Sequence, residues 1–398
     1  MQIELLLHKE IQDYISTHWD ADCSTLALQK NPFPAVPWLE IIQQIQSKQK
    51  CATKLPTWFA GSSVIYPVKV SVEQSSSEIT AAYKASLVQG NSLIDLTGGM
   101  GVDCYYFAKQ IKKVTHCELS ADLSAIVQHN FGVFGVKNVD FVAGNSLDYL
   151  QQSAKQFDWI YIDPSRRNGA KGKVFLLEDC LPNVPENLEL LFAHSQKILL
   201  KTAPILDIRS GINSLKQVEE IHIVAVENEV KELLWVLSKS AAQQPTIHTI
   251  NYSKHGIEEV SFETNSAVVC SYSLPQTYLY EANSAIMKSG EFTAVALRQG
   301  VSKLHEHSHL YTHAELVDFP GRAFKVEACL PYHKTEMKKL MNCKANISVR
   351  NFPDSVEEIR KKWKIKDGGN QYWFFTTDLN NQKIVLLCSK IIRTHENK

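Results

Sequence analysis

The sequence predicts an α/β protein built on a doubly wound, mainly parallel sheet. Between residues 91 and 203, short apolar runs alternate with helical stretches, which is the pattern of βαβ units. Two further apolar runs, EIHIVAVE and ELLWVLSK, follow each other too closely for a parallel crossover, so they must pair as an antiparallel hairpin. After about residue 245 the alternation ends, and shorter strand-like pieces predict small α+β domains.

The bulk composition is that of a globular protein of several domains. A chain of 398 residues is too long for one ordinary core, and 44% hydrophobic with 21% charged residues is a normal balance. No apolar run approaches the roughly 20 residues that span a bilayer. The opening MQIELLLHKEIQDY contains an acidic residue within its apolar cluster, which favours an amphipathic helix over a signal peptide. Nine cysteines without a C-x-x-C pair predict reduced thiols and a cytoplasmic protein.

Residues 1–88 are predicted to form a helical region. Apolar residues recur there at helical spacing, in two sets: Leu5, Leu6, Ile11 and Ile15, then Leu39, Ile41, Ile42 and Ile45. The proline-rich NPFPAVP connects the two sets. The segment EQSSSEITAAYKASL offers a serine cap followed by Glu78, and this predicts a helix that ends near Leu87.

The central region supplies five candidate parallel strands and the helices between them. The strands are SLIDLTGG, VTHCELS, VDFVAGNS, WIYIDPS and KILLKTAP. The predicted helices are Val102–Gln110, Ala121–Phe134, Leu147–Ser153 and Phe175–Ala193. Farther along the chain, AVVCSYS, AFKVEACL, NISVRNF, QYWFFTT and KIVLLCSK are predicted strands, and Val356–Trp363 is a predicted helix.

A glycine-rich loop follows the first of these strands. It reads DLTGGMG, and its candidate binding residues are Asp95, Thr97, Gly98, Gly99 and Gly101. Glycine allows positive φ and a close approach of the backbone to a ligand. A dinucleotide fingerprint needs a third glycine where this chain has a cysteine. The loop therefore favours a nucleoside-carrying cofactor without a pyrophosphate.

Polar residues also end the next three strands. Glu118 comes 23 residues after Asp95, a distance at which an acidic residue commonly binds ribose hydroxyls. Asn145 and Ser146 end the third strand, where an adenine edge could be read, and Asp163 ends the fourth. The carboxyl ends of parallel strands share one edge of a sheet. We therefore expect one ligand site along this edge.

The end of the fourth strand, IDPSRR, is the candidate acceptor site. Proline cannot donate to a sheet ladder, so the strand stops at Asp163-Pro164. Arg166 and Arg167 place two permanent cations beside the carboxylate. The simpler alternative is a strand exit with solvated charges, and Arg167 could also pair with Asp163 structurally.

These motifs resemble a known family. EQSSSEITAAYK, LTGGMGVD and IDPSRR, followed by FPGRAF, NISVRNFP and IKDGG, are similar to a bacterial family of candidate methyltransferases with a ferredoxin-like unit and a C-terminal THUMP-like domain. Residues 91–240 resemble a class I S-adenosylmethionine-dependent methyltransferase. That implies a seven-stranded Rossmann-like sheet with an antiparallel last hairpin and S-adenosyl-L-methionine as cofactor. It also implies a cofactor domain over 89–245, a ferredoxin-like unit over 246–318 and a THUMP-like domain over 319–398.

The acceptor motif departs from that of N6-adenine and many N2-guanine methyltransferases. Their motif is D/N-P-P-Y/F, whose aromatic side chain stacks on a flipped base, whereas this chain has Ser165 and Arg166 in place of the second proline and the aromatic residue. The motif is nearer the D-P-P-R form of some RNA uridine and guanosine methyltransferases. Methylation at C5 of a pyrimidine needs a cysteine nucleophile, and Cys180 lies in a pattern more typical of a core helix. A nitrogen acceptor is therefore favoured, with Asp163 and Arg166 as the catalytic pair. Asp163 would take the proton or bind the amine, and Arg166 would hold a phosphate or carbonyl.

RNA is the expected partner, because THUMP domains elsewhere occur in RNA-modifying enzymes. Residues 301–398 carry 17 basic and 11 acidic residues, which suits a polyanion but equally an ordinary solvated surface. The candidate contacts are Lys338, Lys339, Arg350, Arg360, Lys361, Lys362, Lys364, Lys366, Tyr372 and Trp373. Trp235 and Trp373 are nevertheless more typical of core positions. The histidines of HEHSHLYTH favour a polar edge over a metal site, so no metal is expected.

The sequence thus predicts a methyltransferase that modifies a base nitrogen of RNA and that has no membrane partner. Two alternatives stay open. One is a nucleic-acid-binding protein whose methyltransferase fold is inactive, supported by Ser165 in place of a second proline. The other is a small-molecule methyltransferase, which would leave the basic C-terminal region without a purpose.

Overall fold

The computed structural model of the chain describes residues 3–166, 176–241, 244–263 and 269–392. The chain divides into two compact units. The first consists of Met1–Glu219 and Leu234–Gln243, and the second of Glu220–Leu233 and Gln244–Lys398. In the described part of the chain, no helix combines the length and the apolar character that crossing a membrane requires.

The first unit opens with the predicted helical region. Its helices are α1 (Ile3–Leu6), α2 (Lys9–Thr17), α3 (Cys23–Ala27), α4 (Trp38–Lys54), α5 (Pro56–Ala60), α6 (Lys69–Gln74) and α7 (Glu78–Ser86). The apolar residues at helical spacing form one buried cluster that includes Leu6, Ile11 and Ile45. Leu39 is an exception, because it is 74% exposed and does not belong to the apolar face. Ser77 caps α7 by accepting a hydrogen bond from the backbone of Thr80.

The parallel sheet of the first unit is confirmed. The elements of this part of the chain are β1 (Ser92–Asp95), α8 (Val102–Phe107), β2 (Lys113–Glu118), α9 (Ala121–Val133), β3 (Val139–Ala143), α10 (Ser146–Gln152), β4 (Phe157–Ile162), β5 (Ser165–Arg166), β6 (Cys180–Leu181), α11 (Val184–His194), β7 (Ser195–Thr202) and α12 (Ile208–Leu215). Of these strands, β5 and β6 form a separate two-stranded antiparallel sheet. Parallel pairing joins β1 to β2 and β4, β2 to β3, and β4 to β7. The strand order β7-β4-β1-β2-β3 is that of a doubly wound sheet.

The predicted helix Phe175–Ala193 is wrong in its first half. From residue 176 onward the chain forms a 3₁₀ turn at Leu177–Asp179, then β6, and α11 begins only at Val184. Proline explains the difference, because Pro182 cannot continue a helix, whereas Pro185 is tolerated in the first turn of α11. Cys180 lies in β6 and not in a helix, but it is fully buried, as its core interpretation requires.

The predicted antiparallel hairpin is present, and two missed strands follow it. The hairpin is formed by β8 (Val218–Val226) and β9 (Glu229–Ser238). Glu227 and Asn228 both have positive φ, as a two-residue hairpin turn requires. In the second unit, β10 (Thr246–Ser253) pairs in parallel with β8, and β11 (Gly256–Glu263) pairs antiparallel with β10. The seven expected strands therefore belong to a sheet of nine.

A second sheet, of seven strands, occupies the rest of the second unit. Its elements are β12 (Tyr278–Ala282), α13 (Ser284–Ser289), α14 (Phe292–Arg298), β13 (Ser302–Lys303), β14 (Leu310–His313), β15 (Gly321–Pro331), α15 (Lys334–Lys339), β16 (Asn346–Arg350), α16 (Val356–Trp363), β17 (Gln371–Thr377) and β18 (Lys383–Lys390). The order is β13-β14-β12-β15-β18-β17-β16. The predicted strands from AFKVEACL onward and the helix α16 are thus confirmed.

One predicted strand of the second unit is wrong as far as it is described. In AVVCSYS, the residues from Val269 onward form only an isolated bridge between Tyr272 and Lys303. The core interpretation of the two tryptophans is confirmed, because Trp235 is 0% and Trp373 1% exposed.

Candidate functional site

The carboxyl ends of the parallel strands lie side by side in the first unit. Asp95 at the end of β1 is in register with His116 on β2 and Tyr161 on β4. At the other strand ends, Glu118 is in register with Ala143. The topology therefore brings the predicted site residues of β1, β2, β3 and β4 to one edge of the sheet.

The glycine loop after β1 requires its glycines. Gly99 and Gly101 have φ of +52° and +78°, in the left-handed region that glycine adopts without strain. A β-carbon at Gly98 would lie 2.3 Å from Nε2 of His116. At Gly99 a β-carbon would meet nothing nearer than the Thr97 carbonyl oxygen at 3.7 Å. The loop is thus packed tightly beneath Gly98, and there is room for a ligand beside Gly99.

Asp95 and Thr97 hold this loop in place. Oδ1 of Asp95 accepts hydrogen bonds from the Thr97 backbone at 2.9 Å and from its hydroxyl at 3.4 Å. The Thr97 hydroxyl in turn accepts the backbone N–H of Asp163 at 2.7 Å. Burial raises the pKa of the Asp95 carboxyl well above its ordinary value, and the charges of Asp103 and Asp163 add to that rise. Thr97 therefore links the end of β1 to the end of β4.

Glu118 binds the glycine loop from the neighbouring strand. Its Oε2 accepts the Gly99 backbone N–H at 2.9 Å, and its Oε1 accepts the Ser120 backbone N–H at 2.8 Å. A carboxylate can accept about four hydrogen bonds, so each oxygen keeps one acceptor site. The two backbone contacts fix the orientation of this carboxylate beside the open surface of Gly99.

Of the two predicted residues at the end of β3, Asn145 has a structural partner. Asn145 caps α10, because its Oδ1 accepts the backbone N–H of Leu147 at 3.0 Å. Ser146 is the first residue of α10 and is only 9% exposed. Both lie at the predicted edge, and their proposed contact with an adenine stays a prediction.

Asp163 forms an ion pair with a residue that the sequence analysis missed. Its Oδ2 lies 2.6 Å from Nζ of Lys201, with the two side chains 31% and 15% exposed. Ile162 pairs with Leu200, so Asp163, the first residue after β4, comes beside Lys201 near the end of β7. The available signal was a lysine within the apolar run KILLKTAP, where a charge needs a partner.

The described residues include IDPSRR as far as the backbone of Arg166. The backbone of Arg166 pairs with Cys180 in the short ladder between β5 and β6. The side chain of Arg166, and Arg167 as a whole, lie outside the described residues. Among the described residues, the cation paired with Asp163 is Lys201.

A buried polar network lies behind this edge. Oδ2 of Asp103 accepts hydrogen bonds from the Tyr161 hydroxyl at 2.7 Å and the Ser76 hydroxyl at 2.9 Å. Oδ1 lies 3.2 Å from Nζ of Lys84, whose side chain is fully buried. Burial raises the pKa of Asp103, but Lys84 and Lys201 lower it enough that the net shift is downward. Ser76 and Lys84 belong to EQSSSEITAAYK, so this motif anchors the helical region to β4 and α8.

Comparisons with known proteins agree with this architecture. Residues 278–320 match a family model described as a ferredoxin-like domain, and residues 321–390 match one described as THUMP domain-like. A crystal structure of a candidate methyltransferase from Porphyromonas gingivalis W83 is 31% identical, with a TM-score of 0.87. That match covers 98% of this chain and 99% of the other.

A curated relative matches a shorter stretch. It is an uncharacterised RNA methyltransferase of Mycoplasma mobile, 32% identical over 76 residues. The match covers 19% of this chain and 21% of that protein, so the chain spans about a fifth of the relative's length.

His116 predicts a pH dependence of stability. Burial lowers its pKa from 6.5 to about 4, so between these values the unfolded chain binds a proton that the folded chain does not. Its contribution is therefore complete above pH 6.5 and is lost as the pH falls towards 4. Replacing His116 by Leu should reduce the slope of the free energy of unfolding against pH in this window by about 1.4 kcal/mol per pH unit.

Urea unfolding across the window measures this slope. The control is His255→Leu, which removes an exposed histidine. An unchanged slope in His116→Leu would show that the ring does not titrate as its burial requires. His309 also has a pKa lowered to about 4, so part of the slope should persist in the variant.

Proposed function

Because the chain belongs to the same family as the Porphyromonas gingivalis candidate methyltransferase, we propose that it transfers a methyl group from S-adenosylmethionine to a nitrogen of an RNA base. The observation that carries this proposal is the contact between Glu118 and Gly99. It places a fixed carboxylate beside a glycine surface without side chains, at the end of two adjacent parallel strands. Such an edge is where α/β proteins bind nucleoside cofactors.

The residues at this edge suit S-adenosylmethionine. Glu118 would accept hydrogen bonds from the ribose hydroxyls through the acceptor sites that its two backbone contacts leave. Gly99 would allow the cofactor to approach the backbone, and Asn145 and Ser146 would lie near the adenine. When bound, the cofactor supplies a methyl group on a positively charged sulfur. The chain contributes mainly by positioning donor and acceptor.

Asp163 would act on the acceptor nitrogen. Lys201 binds its Oδ2, which leaves Oδ1 to accept a hydrogen bond from the N–H that is methylated. The backbone of Asp163 is fixed through Thr97, so the carboxylate is tied to the glycine loop. Lys201 thereby positions Asp163, and Arg166 would hold a phosphate or carbonyl of the RNA.

The second unit would bind RNA through its basic surface. The THUMP domain-like match and the RNA methyltransferase relative support this assignment. Several candidate cations already have partners: Arg350 contacts Glu281 at 2.7 Å, Arg360 contacts Asp367 at 2.5 Å, and Lys362 contacts Asp354 at 3.3 Å. Lys361, Lys364 and Lys366 are exposed, which leaves them as the better candidates for phosphate contacts.

Replacing Glu118 by Ala should weaken S-adenosylmethionine binding by about 1–3 kcal/mol, because buried hydroxyls would lose their acceptor. Isothermal titration with S-adenosylmethionine, its demethylated product and NAD measures the effect, and NAD should not bind. Asp140→Ala serves as the control, since this acidic residue belongs to the same sheet but pairs with the exposed Lys113. Equal affinity of wild type and Glu118→Ala for S-adenosylmethionine would show that Glu118 does not bind the cofactor.

Asp163→Asn should abolish methyl transfer and leave cofactor affinity within about tenfold, because the lost interaction acts mainly in the transition state. Lys201→Met should also lower kcat, since Asp163 would lose its positioning partner. Arg166→Ala should chiefly raise KM for RNA. Transfer of a labelled methyl group to total RNA from a deletion strain measures all three.

Lys113→Met is the matched control for Lys201→Met, because it breaks an exposed ion pair of the same sheet. Wild-type turnover by both Asp163→Asn and Arg166→Ala would show that IDPSRR has no catalytic role and is only the point where the strand ends. Cofactor binding without transfer to any RNA would favour the inactive, RNA-binding alternative.

RNA affinity should fall steeply with added salt, because phosphate contacts release counterions. Each phosphate contact on a single strand contributes about 0.7 to the slope of log affinity against log salt. The double variant Lys361→Ala, Lys364→Ala should therefore lower the slope by up to about 1.4. Fluorescence anisotropy with a labelled single-stranded RNA measures it. Lys362→Ala is the control and should change the slope less, because this lysine is paired with Asp354. Equal slopes in wild type and all variants would show that these lysines do not contact the RNA.

A further inference from the structure

Three potential metal ligands meet on two neighbouring strands of the second unit. His222 on β8 and His248 on β10 are direct partners in the parallel register. Glu220 precedes His222 by two residues, so it lies on the same face of the strand. One ligand atom from each side chain lies within 4.8 Å of the other two. The pattern E-x-H on one strand and a histidine on the next therefore forms one cluster.

The hydrogen bonds around the cluster orient the rings. Nδ1 of His248 shares a hydrogen bond of 2.8 Å with the hydroxyl of Ser261, its register partner on β11. With the proton on Nδ1, the ring donates to Ser261 and Nε2 presents a lone pair. Nε2 is buried and makes no hydrogen bond to any residue in the described ranges. A hydrogen bond on one ring nitrogen is the usual way a protein orients the other towards a metal.

The other two ligands are already close to each other. Nε2 of His222 lies 3.0 Å from Oε2 of Glu220. The two imidazole rings are nearly parallel, at 10°, with centroids 4.5 Å apart. Both rings therefore stand side by side on one face of the sheet. Glu220 is 41% exposed in its side chain, so it can adjust and leaves access from solvent.

We propose that Glu220, His222 and His248 bind one divalent transition-metal ion, with zinc as the best match. Two imidazoles and a carboxylate suit zinc, and three protein ligands leave a coordination position for water. Ligands about 2.0–2.2 Å from zinc lie roughly 3.5 Å apart. The three ligand atoms lie within 4.8 Å of one another, so binding would draw any two of them together by at most about 1.3 Å. The ion would cross-link β8 to β10. This inference contradicts the expectation of no metal and does not depend on the proposed function.

The histidines of HEHSHLYTH do not resemble this arrangement. His305 contacts Asn381 through Nε2 at 3.1 Å and Asn351 through Nδ1 at 3.0 Å. His309 stacks on Phe292 with centroids 3.6 Å apart. These rings have amide and aromatic partners, in keeping with a polar edge.

The test is zinc binding by the full chain after treatment with a chelator. Equilibrium dialysis followed by elemental analysis should give one zinc per wild-type chain and about none in His248→Ala. Ser261→Ala should bind zinc about 10–100-fold more weakly, because it removes only the residue that orients His248. In Co²⁺-loaded protein, visible absorption bands without a thiolate charge-transfer band would show that the ion is bound at this site and not by any of the nine cysteines.

His255→Ala is the matched control, because it removes an exposed histidine that follows β10 and should leave binding unchanged. Circular dichroism establishes whether each variant is folded. If His248→Ala is unfolded, the zinc affinity of Ser261→Ala relative to wild type tests the proposal. Equal zinc binding by wild type, His248→Ala and Ser261→Ala, or none by wild type, would overturn the proposal. In that case the two rings are a stacked pair beside a carboxylate.

Discussion

The candidate site depends on one largely buried carboxylate, Asp103, whose side chain is 11% exposed. It lies in the first turn of α8, directly after the glycine loop, and it binds Ser76, Lys84 and Tyr161 at once. Removing one partner from such a buried pair typically costs about 3–5 kcal/mol, because a charge is then left buried without compensation. The helical region, α8 and β4 are therefore fixed relative to one another by this group. A loop of glycines could not hold its own shape without such an anchor.

This anchor explains how flexible residues can form a defined edge. Gly99 and Gly101 adopt positive φ at no cost, but they also supply no side-chain packing. Neighbouring side chains fix their position instead. Glu118 accepts the Gly99 N–H, Asp95 accepts the Thr97 N–H, and the ring of His116 packs beneath Gly98. The glycines keep the surface open, and the polar side chains around them keep it rigid. A site that positions a donor and an acceptor needs both properties.

The sequence predicts candidate site residues that can be recognised from their position along a single strand. It misses residues that come together only through the pairing of two strands. The alternation of apolar runs and the polar strand ends locate Asp95, Glu118 and Asp163, because period and position along one strand are enough. Lys201 was missed because its importance comes from the register of β7 beside β4. His222 and His248 were missed for the same reason, since they are 26 residues apart and meet only through the pairing of β8 with β10. The helix expected over 175–193 is wrong in its first half, because the prediction followed the apolar periodicity and not Pro182, which cannot continue a helix.

The ion pair between Lys201 and Asp163 fixes the carboxylate that follows β4. Lys201 is only 15% exposed, so this pair is partly removed from water. Partly desolvated pairs cost free energy unless their geometry is good, and here the two atoms are 2.6 Å apart. Pro164 ends the ladder so that the Asp163 side chain is turned to the edge and held there. Asp163 is thus positioned in three ways. The register of β4 with β7 places it beside Lys201, the Thr97 hydroxyl accepts its backbone N–H, and Lys201 binds its carboxylate. The proposed role of Asp163 on an acceptor nitrogen would require such pre-organisation, because any movement during the reaction would lower the rate.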